Sequence, residues 1–538
     1  MLAALASPAW QPQMGNFSIA VTCAQSATQG RFDLGLNLAI NFNQAESRQA
    51  FNESLMLEPE TCPMCWWGLA YSHAPFLNHP IKPVSDVAAG LAAAARAIDL
   101  AARVQGLTAK ERGLVEAMGV RFPSTPQGNQ TAAAIAYEAK LGVLHAALPD
   151  DDDVASLYAE ASMLLECDPA GYNFYQPDGS PTALTAQVHA LLRSVLDRAP
   201  SHPIANHLFI HLIEPSAPSL NTSALPAAAA LAALYTGTDA QHLVHMPTHT
   251  YLRSGRYADV VPQNGAAHDS DARYLAHGRL PYAPAHNVAF ELYGACMAGM
   301  RSAALRAASD LSEIYTAAPD RGDGPGPEMG WNLRLTTCVR FGAWADVVGA
   351  DPTQPRPWPY ATVLRLYANG TALAALGRSA ESRAAFESLQ AALPSVDPRY
   401  AAYARVAERS LRAAVAAAEG TAAGLAQAAD ALSQAVAEQA SWTYDEPPAW
   451  HMPMRQCLGR VLLRLGDAAN ATAVYEADLA EFPRNGYSLF GLRQSMLAQP
   501  DAYTPEQVKA VEEQMRDAWK DADVPLSSSC VAFEGVGA

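Results

Sequence analysis

The feature that most constrains this chain is a recurring helix–turn–helix frame of about 34 residues. Gly35, Phe51 and Pro59 occupy it first: a glycine early in one helix, an aromatic late in the next, a proline past the end. Trp66-Trp67-Gly68-Leu69-Ala70-Tyr71 opens a second copy. Tyr251, Gly255, Tyr257 and Ala267 fit the frame over 241–272, and Gly299 and Ala304 over 285–316. Gly370, Gly377, Phe386 and Pro394 fit over 363–394, and Leu458-Gly459, Gly466, Ala471 and Pro483 over 452–483. No single copy is decisive, and the argument is their recurrence. A repeat of this kind cannot bury its apolar face alone, so neighbouring copies must stack. Strand-like alternation is scarce and alanine-rich runs are frequent, which predicts an all-α chain.

The frame resembles the tetratricopeptide (TPR) repeat superfamily. The fold expected is a TPR-type α-solenoid or superhelix of irregular helical hairpins. Residues 1–25 read as a leader or flexible arm, and 26–320 as an N-terminal array with a histidine-lined groove. Gly/Pro-rich stretches at 320–330 and 351–360 cannot be helix interiors, so 321–360 reads as a connection and 361–538 as a C-terminal array.

The chemistry concentrates in two segments. His242, His245 and His249 stand at i, i+3 and i+7, a spacing that stacks them on one helix face. Upstream, His207 and His211 are four apart, and Glu214 follows three later. His207 to His245 and His211 to His249 both span 38 residues, about one repeat. In the TPR frame these residues, with His286 in the next repeat, fall at positions that line the concave groove. His73, His79, His145, His189, His202, His268, His277 and His451 scatter and read as structural or exposed. Neutral imidazole ligates zinc, copper, iron and nickel. The metal ligands expected are therefore His207, His211, His242, His245, His249 and His286, with copper favoured over zinc or iron. Glu214, Glu160 or Asp271 can serve as ligand, as orienting partner or as proton acceptor, and Glu214 and Glu160 are the catalytic candidates. A histidine-lined groove for an anionic ligand and a purely structural network are the alternatives.

HPIANHLFIHLIE, HLVHMPTHTYLRSGRY, DDDDVASLYAEASML and YDEPPAWHMPMRQCLG together resemble a widespread family of large TPR-like proteins. That resemblance spans nearly the whole chain and implies a fold rather than an activity. The family tends to carry a histidine after Phe-Asn in the first repeat, where this chain has Gln44. Any role of that histidine is lost or taken over here.

Formal charge is −17, which argues against nucleic acid or an anionic membrane as partner. No apolar run reaches the ~18–20 residues of a membrane span. Sequons at Asn16, Asn52, Asn129, Asn221, Asn369 and Asn470 can carry N-glycans, and eight cysteines permit a few disulfides. Both features point to an extracellular or secretory-pathway protein, although Met1–Trp10 lacks the basic start of a signal peptide. Cys62-Pro63-Met64-Cys65 reads as a local disulfide or as packing rather than as a redox catalyst. Serine-hydrolase, nucleotide-phosphate, dinucleotide and zincin motifs are missing from the sequence. The function expected is a metal-dependent oxidoreductase acting on a small molecule in the groove. A glycosylated extracellular scaffold that binds a protein partner and a zinc-dependent hydrolase are the competing readings.

Overall fold

The computed structural model describes residues 10–169, 171–317, 327–350 and 358–534. The architecture is all-α, built from successive helical hairpins. The first described helices are Ser26–Ile40, Gln44–Leu57, Pro63–His73 and Val84–Ala101. The described β-structure is confined to a two-residue hairpin, Cys167–Asp168 with Gly171–Tyr172, and two isolated bridges. No described helix is long and apolar enough to cross a membrane.

The repeat glycines have a mechanical cause. A Cβ on Gly68 would stand 2.1 Å from Phe51 Cε1, and one on Gly35 would stand 2.9 Å from the same ring. The fully buried Phe51 thus wedges between two successive first helices whose backbones approach because neither has a side chain there. Far along the chain the device recurs. Tyr475 is pinched between Gly459 and Gly491, where added Cβ atoms would lie 2.4 and 2.1 Å from its ring. A second recurring element ties each hairpin internally: Ser47 Oγ donates to the Gly35 carbonyl and Ser382 Oγ to the Gly370 carbonyl, both at 2.8 Å.

The chain divides into two compact units, Met1–Thr250 with Ala266–Ala283, and Tyr251–Gly265 with Pro284–Ala538. The Gly/Pro-rich stretches expected to connect two arrays lie inside the second unit. Residues 318–326 and 351–357 of those stretches fall outside the described residues. Between them run the helices Pro327–Gly330, Leu333–Arg340 and Trp344–Val348. Cys457 and Cys530 form a disulfide in the second unit. Cys62 and Cys65, in the first, are buried thiols with Sγ atoms 2.8 Å apart.

One glycosylation expectation fails. Asn221 is fully buried, and its Nδ2 donates to the Ile213 carbonyl and to Ser216 Oγ at 3.2 and 3.1 Å. A glycan on that nitrogen would have to replace one of its two N–H groups and open the core. Asn16, Asn52, Asn129 and Asn470 are exposed, and Asn369 is half-buried.

Candidate metal centre

The first unit carries the centre on two segments. Helix Pro203–Ile213 is buried along its whole length. Pro203 sits in the first turn, where its missing N–H is no loss, and His202 caps the end: its Nδ1 accepts from Ala205 N at 3.2 Å. His202 Nε2 in turn lies 3.0 Å from Asp153 Oδ1. Anchored at that end, the helix presents His207 and His211 one turn apart, and Glu214 closes it at the C-cap.

The second segment is not the continuous helix that the i, i+3, i+7 spacing predicts. It runs as Gln241–His245 and then Pro247–Arg253, with the break at Met246. Pro247 has no N–H to donate, and its ring crowds the preceding turn. The histidines stay together across the break: ring centroids are 6.2 Å apart for His242 and His245, and 4.7 Å for His245 and His249. Asn41 Oδ1 accepts from Leu243 N at 3.0 Å, pinning this segment to the first hairpin.

Five histidines thereby form one buried group. Each of His207, His211 and His242 offers a ring nitrogen, all within 4.8 Å of one another. His207 Nε2 and His242 Nε2 face each other at 3.0 Å, and His245 Nε2 and His249 Nε2 at 2.8 Å. Two nitrogens on one tetrahedral ion, each about 2.05 Å from it, stand roughly 3.3 Å apart. Each facing pair is therefore a few tenths of an ångström from a bidentate geometry. Burial, and then the neighbouring histidines, hold the His207 and His242 pKa values well below the usual imidazole range. Both rings are neutral at physiological pH, the form that ligates.

Glu214 organises the group. Its Oε1 lies 3.0 Å from His211 Nδ1 and its Oε2 lies 2.6 Å from His249 Nδ1. A carboxylate oxygen accepts, so in the Oε1 contact the His211 proton sits on Nδ1 and its Nε2 keeps the lone pair, while His249 Nδ1 stands at ion-pair distance from Oε2 without hydrogen-bond geometry. This is the arrangement by which an outer carboxylate fixes the tautomer and orientation of metal-binding imidazoles.

Glu160 is buried and accepts from Tyr71 Oη at 2.8 Å, and burial raises its pKa against the opposing charge of Arg121. His286 belongs to the second unit, near the start of helix Pro284–Ala298, with its ring edge-on to Phe290 at 5.0 Å. Asp271 is buried in the first unit. Gln44, where the resembling family has histidine, donates from Nε2 to the Ala39 carbonyl at 3.2 Å.

Three residues that sequence reasoning missed line the centre. Phe42 stacks on His242 at 4.5 Å between centroids and lies 5.0 and 6.1 Å from His207 and His211. Its φ is 63°, a left-handed conformation that strains a bulky residue by on the order of 1 kcal/mol. Tyr172, from the short β-hairpin, brings its Oη to 3.3 Å from His211 Nδ1. Tyr282 lies edge-on to His242 at 5.3 Å, and Asn78 Nδ2 donates to its Oη at 2.9 Å.

No family model matches the chain, and no curated protein matches it. Among solved structures, the APC/C hetero-tetramer Cut9–Hcn1 aligns over 93% of this chain and 80% of that one, with 14% identity and a TM-score of 0.34. Yeast Tom70 aligns over 90% and 99%, with 11% identity and a TM-score of 0.31. The TPR domain of P58(IPK) aligns over 89% and 99%, with 10% identity and a TM-score of 0.20.

Proposed function

We propose that this is a TPR-type metalloprotein whose first unit holds a transition metal on His207, His211 and His242. His245 and His249 form an adjoining ligand pair, and Glu214 is the carboxylate that sets the His211 tautomer. The observation that carries the reading is the double contact of Glu214 with His211 and His249. A carboxylate that holds His211 through Nδ1 leaves that ring's Nε2 lone pair directed into a cluster of further imidazoles. Glu214 acts by positioning, through the Oε1 bond to His211 and the close approach of Oε2 to His249. An all-imidazole donor set suits copper or zinc, and we favour copper and an oxidoreductase activity on a small molecule.

A purely structural metal within a protein-binding scaffold is the second reading. It is favoured by burial: His207, His211 and His242 are 2, 1 and 3% exposed, whereas a catalytic metal needs an open position and a path to it. We also propose a secretory or extracellular setting, supported by the exposed sequons and the Cys457–Cys530 bridge.

Elemental analysis of protein purified without chelators tests the ligand set, followed by oxygen consumption with candidate reductants. Copper with turnover supports the oxidoreductase. Zinc with hydrolysis of model esters supports the hydrolase variant. Metal that stabilises the fold without turnover supports the scaffold. Protein without metal, and unable to take up copper or zinc, rejects the centre.

A further inference from the structure

The second unit buries a cation that has no counter-ion among the described residues. Arg340 ends the helix Leu333–Arg340 and is 2% exposed. No described carboxylate pairs with it. Its Nη1 donates to Gln456 Oε1 at 2.7 Å, its Nη2 donates to the Met297 thioether at 3.9 Å, and its Nε has no acceptor. One face of the guanidinium lies on the Tyr487 ring, with Cζ 3.5 Å from the centroid. Gln456 Nε2 continues to Asp478 Oδ2 at 3.3 Å, so that carboxyl reaches Arg340 only through the intervening amide.

A guanidinium recognises a carboxylate along an edge where two N–H bonds run parallel. In Arg340 the Nε atom of the Nε–Nη2 edge has no acceptor, and Nη2 has the Met297 thioether as its hydrogen-bond partner. Further buried donors lie in the same surroundings without partners: Trp450 Nε1 and Tyr293 Oη. Tyr293 and His451 both feel the Arg340 charge. The neighbouring side chains are apolar and aromatic. Trp450 lies 5.3 Å from Tyr367 and 4.7 Å from His451, centroid to centroid, and Met452 Sδ lies 3.7 Å from Arg340 Nη1. The Tyr444–Trp450 stretch, with its Pro447-Pro448 pair, leads directly into Trp450, His451 and Met452.

We propose that Arg340 anchors a buried binding site for the carboxylate of a small organic acid, gripped along the Nε–Nη2 edge and walled by Trp450, Tyr367 and Tyr487. Charge selects the ligand class. One buried positive charge is balanced by one carboxylate, whereas a phosphate dianion leaves a negative charge in the core. Aromatic walls favour an acid with a flat apolar body. The site is independent of the histidine centre and does not rest on any metal being bound.

Titration calorimetry and thermal shift on the full chain, dialysed into chloride buffer, test it with benzoate, acetate and inorganic phosphate as probes. Benzoate is expected to bind and raise the melting temperature, acetate to bind more weakly and phosphate not to bind. Arg340→Lys keeps the charge but loses the two-pronged edge, and is expected to weaken benzoate at least about tenfold. Should that variant fail to fold, Trp450→Phe keeps an aromatic wall and removes one donor, and is expected to weaken benzoate about threefold. Absence of carboxylate binding to the native chain overturns the site, and means water satisfies these donors. Undiminished benzoate binding in whichever variant folds also overturns it, and phosphate binding in place of carboxylates overturns the ligand class.

Discussion

Glu214 and His249 meet through Oε2 and Nδ1 at 2.6 Å, in a place where neither side chain is more than 1% exposed. The same carboxylate reaches His211 through its other oxygen. The His211 contact is directional: it dictates which nitrogen of that ring faces the other histidines. Glu214→Gln keeps the size but can offer only one acceptor, so one of the two rings must lose its contact. The expected outcome is a loss of about 10–100-fold in metal affinity with the helical content retained. Competition titration against a chelator of known affinity measures it. Unchanged affinity would remove Glu214 from the centre.

A second set of substitutions separates ligands from bystanders. His207→Ala or His242→Ala takes one nitrogen from the buried trio, and the bound metal is expected to fall to a small fraction of native. His189 is half-buried on helix Ala183–Arg198, with its ring against Phe209 at 5.4 Å. His189→Ala is expected to leave metal content untouched. Metal per chain, measured on all three variants, decides. Equal loss in all three means the metal depends on folding alone, and no loss in any means it sits elsewhere.

Where the sequence was legible, geometry explains why. Gly35, Phe51 and Gly68 can be read as a repeat because a ring wedged between two helices leaves room for no side chain at either glycine. His207, His211 and Glu214 can be read because a helix turns a spacing of three and four into one face. Phe42, Tyr172 and Tyr282 could not be read, since they arrive from a turn, a two-residue strand and the stretch after a long helix. The only available signal was Phe42 itself, next to the position where the resembling family carries histidine. The helix break at Met246 was signalled by Pro247 but hidden by the regular spacing of the histidines across it.

The wedge makes a mechanical prediction. Gly68→Ala places a methyl 2.1 Å from Phe51, closer than any carbon contact tolerates, and the ring is held on its other side near Gly35. A destabilisation of about 1–3 kcal/mol or more is expected from overpacking. Phe51→Leu in the Gly68→Ala background gives the methyl room and is expected to recover part of the loss. Denaturant midpoints for the two single variants and the double variant form the cycle. Strict additivity would mean the two residues do not compete for space.

Asp478 supplies a prediction in pH. It is fully buried in the second unit, and its Oδ2 accepts from Ser488 Oγ at 2.6 Å and from Asn485 Nδ2 at 3.2 Å, while Oδ1 accepts nothing. Burial outweighs those hydrogen bonds and raises the carboxyl from 3.8 to about 6. Because the folded pKa lies above the unfolded one, the fold favours the protonated acid. This contribution is fully present below about pH 4 and is lost as pH rises through about 6. Asp478→Asn never ionises, retains one acceptor, and puts its amide nitrogen where Oδ1 has no partner. The variant is therefore expected to gain on the native chain above pH 6, by on the order of 2 kcal/mol at pH 7 and above. The two stability curves should draw closer as pH falls from about 6 to about 4, which cancels the many other carboxylates common to both. Denaturation midpoints of both chains across that window read the difference directly. A gap that stays constant with pH, or widens on acidification, would show that Asp478 is held as the anion in the folded protein, and that the Gln456 amide then links Arg340 to a true counter-charge.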